Sequence, residues 1–256
     1  MPSTQFACSA RFSCLVLVCL LVSGAARAQA PSEKGYYARN NSFGLFGAYS
    51  NDSSHILLGA AEQRKLLEFG ASYSRKLILS RYVNWQYDAE LLPVALESDP
   101  LTQTVLTQTS PTKQTVVYPN GPPEIWCAPY TWTYNYISNG VTYAGSGSVT
   151  CRGRQWTIGE AFSPVGMRWN FLPRRRIQPF FEGHGGYMYS THPIPVAQAG
   201  SFNFTFDFGM GVEWYRARTH SIRAEYRFHH ISDHDTTNVN PGIDNSVFQV
   251  SYVFGR

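Results

Sequence analysis

The chain has 256 residues, with 21 Lys+Arg against 17 Asp+Glu, a formal net charge of +4, 43% hydrophobic and 15% aromatic residues. So small a positive excess excludes a polyanion-binding surface of the nucleic-acid type. Beyond residue 30 no apolar run reaches the roughly 18 residues of a membrane-crossing helix, which leaves strands as the remaining way to cross.

The first stretch reads as an export leader. Arg11 precedes an apolar run from Cys14 to Val22, and Ala26-Arg27-Ala28 and Ala28-Gln29-Ala30 both fit a small-x-small cleavage site. The expectation is a leader over 1–30 and a mature chain over 31–256. The run is too short to span a bilayer as a helix, and no lipobox surrounds Cys19. Cleavage after Ala30 removes Arg11 and Arg27 and no acid, so the formal charge falls to +2. Cys8, Cys14 and Cys19 leave with the leader. The two cysteines that stay, Cys127 and Cys151, are an even pair in an exported chain and predict a disulfide.

Residues 31–41 read as a loose lead-in. Alternating segments then predict strands at 42–50, 64–74, 81–92, 155–171, 176–190, 202–215, 219–230 and 245–256. The sixth is the clearest. Phe202, Phe204, Phe206, Phe208, Met210, Val212 and Trp214 alternate with Asn203, Thr205, Asp207, Gly209, Gly211 and Glu213. Bulky apolar groups opposite a polar and glycine face suit a wall with lipid outside and a narrow polar lumen inside. Glu182, His184 and Glu213 fall on lumen positions. The connections alternate long and short, the pattern of long extracellular loops and short periplasmic turns. The fold class expected is therefore all-β: an eight-stranded antiparallel transmembrane barrel, with a small secreted sandwich as the competing class. The longest connection, 93–154, is rich in Thr, Gln, Tyr and Pro. Pro122-Pro123 and Asn139-Gly140 are its turn markers, and a small hairpin over 130–150 would give it order.

Chemistry concentrates in the last two strands. Ile222, Ala224, Tyr226 and Phe228 make one face of the seventh, and Ser221, Arg223, Glu225 and Arg227 the other. His230 and Ser232 sit at the end of the apolar face, where two polar groups are out of place unless they have a task. Residues two apart on a strand lie about 7 Å apart on one face, so an imidazole can reach a hydroxyl. Asn240-Pro241-Gly242-Ile243-Asp244 then turns the chain and returns a carboxylate toward them. The reading is Ser232 as nucleophile, His230 as general base and Asp244 as the acid that orients it. Two other readings compete: polar residues at a membrane interface, and a cation site made by His229, His230, Asp233, His234 and Asp235. Since His229 and His230 point to opposite faces, no metal and no cofactor is expected.

The segment His230-Ile231-Ser232 to Asp244, with the acid twelve positions after the serine, resembles the active-site signature of the outer-membrane lipid A 3-O-deacylases. The resemblance extends upstream through Phe162-Ser163-Pro164-Val165-Gly166-Met167-Arg168-Trp169-Asn170-Phe171 and Gln178-Pro179-Phe180-Phe181-Glu182. It implies an esterase that removes an acyl chain from lipid A of lipopolysaccharide in the outer leaflet, at the lipid-facing surface of a barrel in the outer membrane, with no nucleic-acid partner. It also implies oxyanion support from Asn240 and from backbone amides of the 233–239 loop. The family commonly carries Asn directly after the nucleophile where this chain has Asp233, an anion that opposes oxyanion build-up unless it points away. A non-enzymatic barrel and an outer-membrane phospholipase stay open as alternatives, and so does a homodimer.

Overall fold

The computed structural model describes residues 35–121 and 125–256; the leader expected over 1–30 and the Pro122-Pro123 turn marker lie outside them. Its regular structure is strand throughout: β1 (Asn41–Ser50), β2 (Lys65–Leu79), β3 (Val83–Ser110), β4 (Gln114–Gly121), β5 (Tyr130–Ser138), β6 (Val141–Phe171), β7 (Ile177–Ser190), β8 (Phe202–Ala217), β9 (His220–Ser232) and β10 (Ile243–Gly255). All pairings between these strands are antiparallel. β1 pairs with β10, and β3 pairs with β6 across the segment inserted between them, so β1–β3 and β6–β10 form a ring of eight strands. Closure leaves the ring without an open edge. No described helix is long and apolar enough to cross a membrane.

The alternation in the sequence becomes two faces. Phe43 and Leu45 on β1, Phe208, Met210, Val212 and Trp214 on β8, and Phe248, Val250, Tyr252 and Phe254 on β10 are exposed on the outside. Ion pairs fill the inside. Arg227 makes a bidentate pair with Glu90 (2.8 and 2.9 Å) and reaches Glu182 at 2.9 Å. Arg168 bridges Asp88 at 2.7 Å and Glu182 at 2.5 Å, and His184 Nδ1 lies 2.9 Å from Asp207. Buried charges survive only when paired in this way. The described part of the lead-in is tied to the ring: Arg39 enters its lower end, donates to Ser221 Oγ at 2.7 Å and pairs with Glu213.

At the opposite end the lumen is capped by an apolar cluster. Ala61 from the β1–β2 connection and Ile194 from the β7–β8 connection pack with Leu92, Ala95, Met188, Ile231 and Ile243. Above the cap Arg64 is fully buried; it pairs with Asp99 at 2.9 Å and donates to the carbonyls of Ile125 (2.6 Å) and Pro195 (2.9 Å). One guanidinium thus ties three connections together, using the fork of donors that suits arginine to such a task.

The main departure from the sequence reading lies at 93–154. Most of that stretch is strand. β3 and β6 run on past the ring and carry β4 and β5 on their outer sides, a four-stranded sheet in the order β4-β3-β6-β5. The hairpin expected over 130–150 is present, turning at Asn139 and Gly140, whose φ angles of 50° and 76° are those of a two-residue turn with both central residues left-handed. The Cys127–Cys151 disulfide, Cα–Cα 5.9 Å, anchors the base of this sheet. Sequence length suggested a loop because single strands of 28 and 31 residues exceed any single-layer expectation.

Candidate active site

β9 and β10 are paired so that Asp244 stands directly opposite His230, and Ile243 opposite Ile231. The even positions of both strands face outward, so the imidazole and carboxylate meet on the outer face, with His230 Nδ1 2.6 Å from Asp244 Oδ1. On the other side β8 places Phe206 opposite His230 and Phe204 opposite Ser232. The His230 ring lies 5.0 Å from the Phe206 ring and stacks with Phe228 at 6.5 Å, 9° between planes. His229 points the other way, into the lumen near Glu68.

Outward position does not mean open here. His230 is 6% exposed and Asp244 0%. The β1–β2 connection folds down over them: Ser53 bridges Asn245, Ala61 bridges Ile243, and Ala60 donates to the carbonyl of Pro241 at 2.6 Å. This roof delivers two backbone donors to the second carboxylate oxygen, since Leu57 N and Leu58 N lie 2.6 and 2.9 Å from Asp244 Oδ2. Donors to an ionised carboxylate hold it as an anion. The roof fits only because residue 59 is glycine: a Cβ there would lie 2.5 Å from Asp244 N and 2.9 Å from Asp244 Oδ1. Gly242, at φ +59°, is the matching turn residue, and a Cβ on it would lie 3.1 Å from His230 Cε1.

Ser232 is half-buried at the open end of this arrangement, beside the exposed ring of Phe204. Among the described residues no hydrogen bond engages its hydroxyl, which leaves Oγ free to rotate. The outward edge of the roof is apolar: Ile56, Leu57 and Leu58 are 41%, 58% and 63% exposed.

The 233–242 connection holds the remaining candidates. Asp233 is buried, and its carboxylate turns back into its own loop, accepting from Asp235 N at 3.0 Å and from the Thr237 hydroxyl. Asn240 Oδ1 accepts from Asp233 N at 3.3 Å, and its Nδ2 donates to Asp235 Oδ1 at 3.3 Å. Both side chains brace the loop next to Ser232. His234 and Asp235 carry φ of 55° and 58°, so the chain reverses there through two left-handed residues.

The sequence reading expected His230, Ser232 and Asp244 to meet. His230 and Asp244 are in contact, whereas no hydrogen bond joins Ser232 Oγ to His230 among the described residues. The donors from Leu57 and Leu58 were not foreseen. Backbone donors have no side-chain signature. The small residues of Gly59-Ala60-Ala61 were the only local hint that two segments pass closely there.

Among solved structures, the chain is similar to the crystal structure of the outer membrane enzyme PagL, at 11% identity over 83% of this chain and 99% of that one, TM-score 0.48. It is similar also to Neisserial surface protein A (8% identity, 85% and 97% covered, TM-score 0.40) and to the outer membrane protein OprG from Pseudomonas aeruginosa (9%, 87% and 99%, TM-score 0.38). No curated protein matches the sequence. Residues 115–253, more than half of the chain, match the family model described as Lipid A 3-O-deacylase (PagL), and the chain belongs to that family.

Proposed function

We propose that the chain is an eight-stranded barrel of the outer membrane that hydrolyses an ester-linked acyl chain of lipid A, the 3-O-linked chain that the family description names. A closed ring with a continuous apolar exterior and an ion-paired interior is what a bilayer requires of strands, because every backbone group must be paired within the protein. An exterior of Phe, Tyr, Val and Leu on this scale is far beyond the patches that water-exposed surfaces tolerate. The short turns at 80–82, 172–176 and 218–219 are then periplasmic, and the connections at 51–64, 191–201 and 233–242 face outward. The capped lumen argues against a channel.

The observation that carries the enzymatic reading is the His230–Asp244 pair on the outer face, roofed by 53–61, with a free serine hydroxyl two residues along the same strand. Asp244, held by two backbone donors, fixes the tautomer of His230 with the proton on Nδ1 and leaves Nε2 to act as base. Ser232 Oγ attacks the ester carbonyl carbon while His230 Nε2 takes its proton. The tetrahedral intermediate collapses as the imidazolium returns that proton to the departing sugar oxygen. Water, deprotonated by the same imidazole, then attacks the acyl-serine and releases the fatty acid. Asp233 and Asn240 shape the loop whose backbone amides stabilise the oxyanion. The carboxylate of Asp233, engaged by Asp235 N and Thr237, is kept from opposing that charge. Because the site opens sideways past Phe204 and the Ile56–Leu58 edge, an acyl chain reaches it without leaving the bilayer.

The test uses purified protein with lipid A in one arm and phospholipid in the other, and fatty-acid release read by mass spectrometry. Release from lipid A that Ser232→Ala abolishes supports the reading. Release from phospholipid alone replaces it with a phospholipase, and release from neither leaves a barrel without hydrolase activity.

A further inference from the structure

The four-stranded sheet beyond the ring plays no part in the chemistry just described, yet its surface is highly organised. From 101 to 150 the sequence holds only two charged residues, Lys113 and Glu124, and no histidine, while Thr, Ser, Gln, Tyr and Trp dominate. β5 sets Tyr130, Trp132, Tyr134 and Tyr136 on one face at every second residue. These form ring contacts along the strand, Tyr130–Trp132 at 5.3 Å and Tyr134–Tyr136 at 6.1 Å, extended onto β6 by the Tyr136–Tyr143 stack at 5.3 Å, 12° between planes.

The rings lie over the neighbouring strand because that strand withdraws its side chains beneath them. Trp132 pairs with Gly147 and Tyr134 with Gly145. A Cβ at Gly147 would run into the Trp132 ring, and one at Gly145 would fall 2.5 Å from the Tyr134 hydroxyl. Glycine in a strand interior weakens it and marks a close approach; two at alternate positions under two rings build shelves that hold aromatic faces flat. Trp126, Tyr130 and Tyr136 are more than half exposed. At the disulfide end Trp126, Tyr130, Thr102 and Thr104 line a groove of about 390 Å³. Beside Trp132, Thr107, Thr131, Thr133, Ser146 and Ser148 line another of about 490 Å³.

Flat aromatic faces, hydroxyls beside them and almost no charge are the chemistry that recognises a neutral sugar. The C–H groups of a pyranose ring carry partial positive charge toward the negative face of an aromatic ring, and ring hydroxyls exchange hydrogen bonds with Thr and Ser. A nucleic acid or an acidic peptide would need a cluster of cations, and between 101 and 150 the sequence offers Lys113 alone. The sheet leaves the ring at the same end as Ser232, since β3 and β6 continue past Thr157 and Ile158, where Thr191 N donates to the Ile158 carbonyl.

We infer that the β4-β3-β6-β5 sheet is a saccharide-binding platform for the neutral sugar chain of lipopolysaccharide, which grips the polysaccharide above the membrane while the lipid end is presented at Ser232. The location rests on the function proposed above; the binding chemistry does not. The experiment titrates the purified full chain in detergent with polysaccharide freed from lipid A by mild acid, and follows tryptophan fluorescence and heat of binding. Binding is expected, weakened roughly tenfold or more by Trp132→Ala and by Gly147→Val, which displaces the ring without removing it. Hydrolysis of lipid A that carries no sugar chain is expected to be unaltered in both variants, which also reports that the ring is folded. Ser232→Ala is expected to bind polysaccharide as the parent does, so loss of hydrolysis and loss of binding are read separately. Unchanged affinity in Trp132→Ala, or absence of binding at millimolar polysaccharide, overturns the inference. So does a dimer, seen by sedimentation, that Trp132→Ala converts to monomer without polysaccharide binding, because the aromatic face would then be a self-association surface.

Discussion

His230 and Asp244 occupy directly paired positions on neighbouring antiparallel strands, and their side chains meet at 2.6 Å on the outer face of the ring. The pair is buried even though it points outward, because the 53–61 segment lies across it and donates two backbone N–H groups to the far oxygen of Asp244. The imidazole and the carboxylate are thereby held by one hairpin and by a loop whose Leu57 is 187 residues from Asp244 in sequence.

Removing the hydroxyl or the base separates chemistry from architecture. Ser232→Ala and His230→Ala are each expected to lower fatty-acid release from lipid A by roughly 10³-fold or more, the scale seen when a member of such a triad is lost. Asp244→Asn is expected to lower it by roughly 10²- to 10⁴-fold with the barrel intact, since the amide no longer selects the tautomer. Mass spectrometry of the released acid measures all three, and full activity in Ser232→Ala removes it from the reaction.

Gly59→Ala probes the roof. The added methyl meets Asp244 N and Oδ1, so the loop must lift and withdraw the Leu57 and Leu58 donors. The expected outcome is a fall in kcat of roughly tenfold to a hundredfold with the melting midpoint of the ring nearly unchanged. A variant with parental kcat would show that the roof does not position the acid.

The outer surface makes its own prediction. Met210 on β8 is 68% exposed and centred on an apolar face. If that face meets lipid, Met210→Arg destabilises the folded barrel by about 2–4 kcal/mol, the range for a cation at the bilayer midplane. Reversible unfolding in lipid vesicles reads this directly, and a neutral substitution would contradict a membrane-facing β8.

Inside the ring, Arg227 holds Glu90 and Glu182 together. Arg227→Met leaves Glu90 buried without its arginine, while Glu182 keeps Arg168, and is expected to destabilise the ring by about 3–5 kcal/mol. The readout is the temperature at which the folded form, faster on an unheated gel, is lost.

The disulfide should matter to the sheet and not to the ring. Cys127 and Cys151 are 24 residues apart, and closing a loop of that size stabilises by about 3–4 kcal/mol in the chain-entropy picture. Cys127→Ser paired with Cys151→Ser is expected to open the region between 111 and 150 to protease while lipid A without a sugar chain is hydrolysed at the parental rate. Loss of hydrolysis would tie the sheet to the active site more tightly than its geometry implies.

Much of this was legible in the sequence because strand periodicity is local. Phe202 to Trp214 announces its two faces in thirteen residues, and the spacing from His230 through Ser232 to Asp244 places three groups at one hairpin tip. The two cysteines outside the expected leader pointed to the bridge that Cys127 and Cys151 make. Tertiary structure alone decided that β3 and β6 outrun the ring and pair with each other, that Arg39 and Ala61 stopper its two ends, and that the Leu57 and Leu58 amides hold Asp244. The physical reason is the same in each case: side-chain alternation records which face a residue takes, whereas backbone donors, loop packing and pairing between distant strands depend on closure of the chain in space and leave no periodic trace along it.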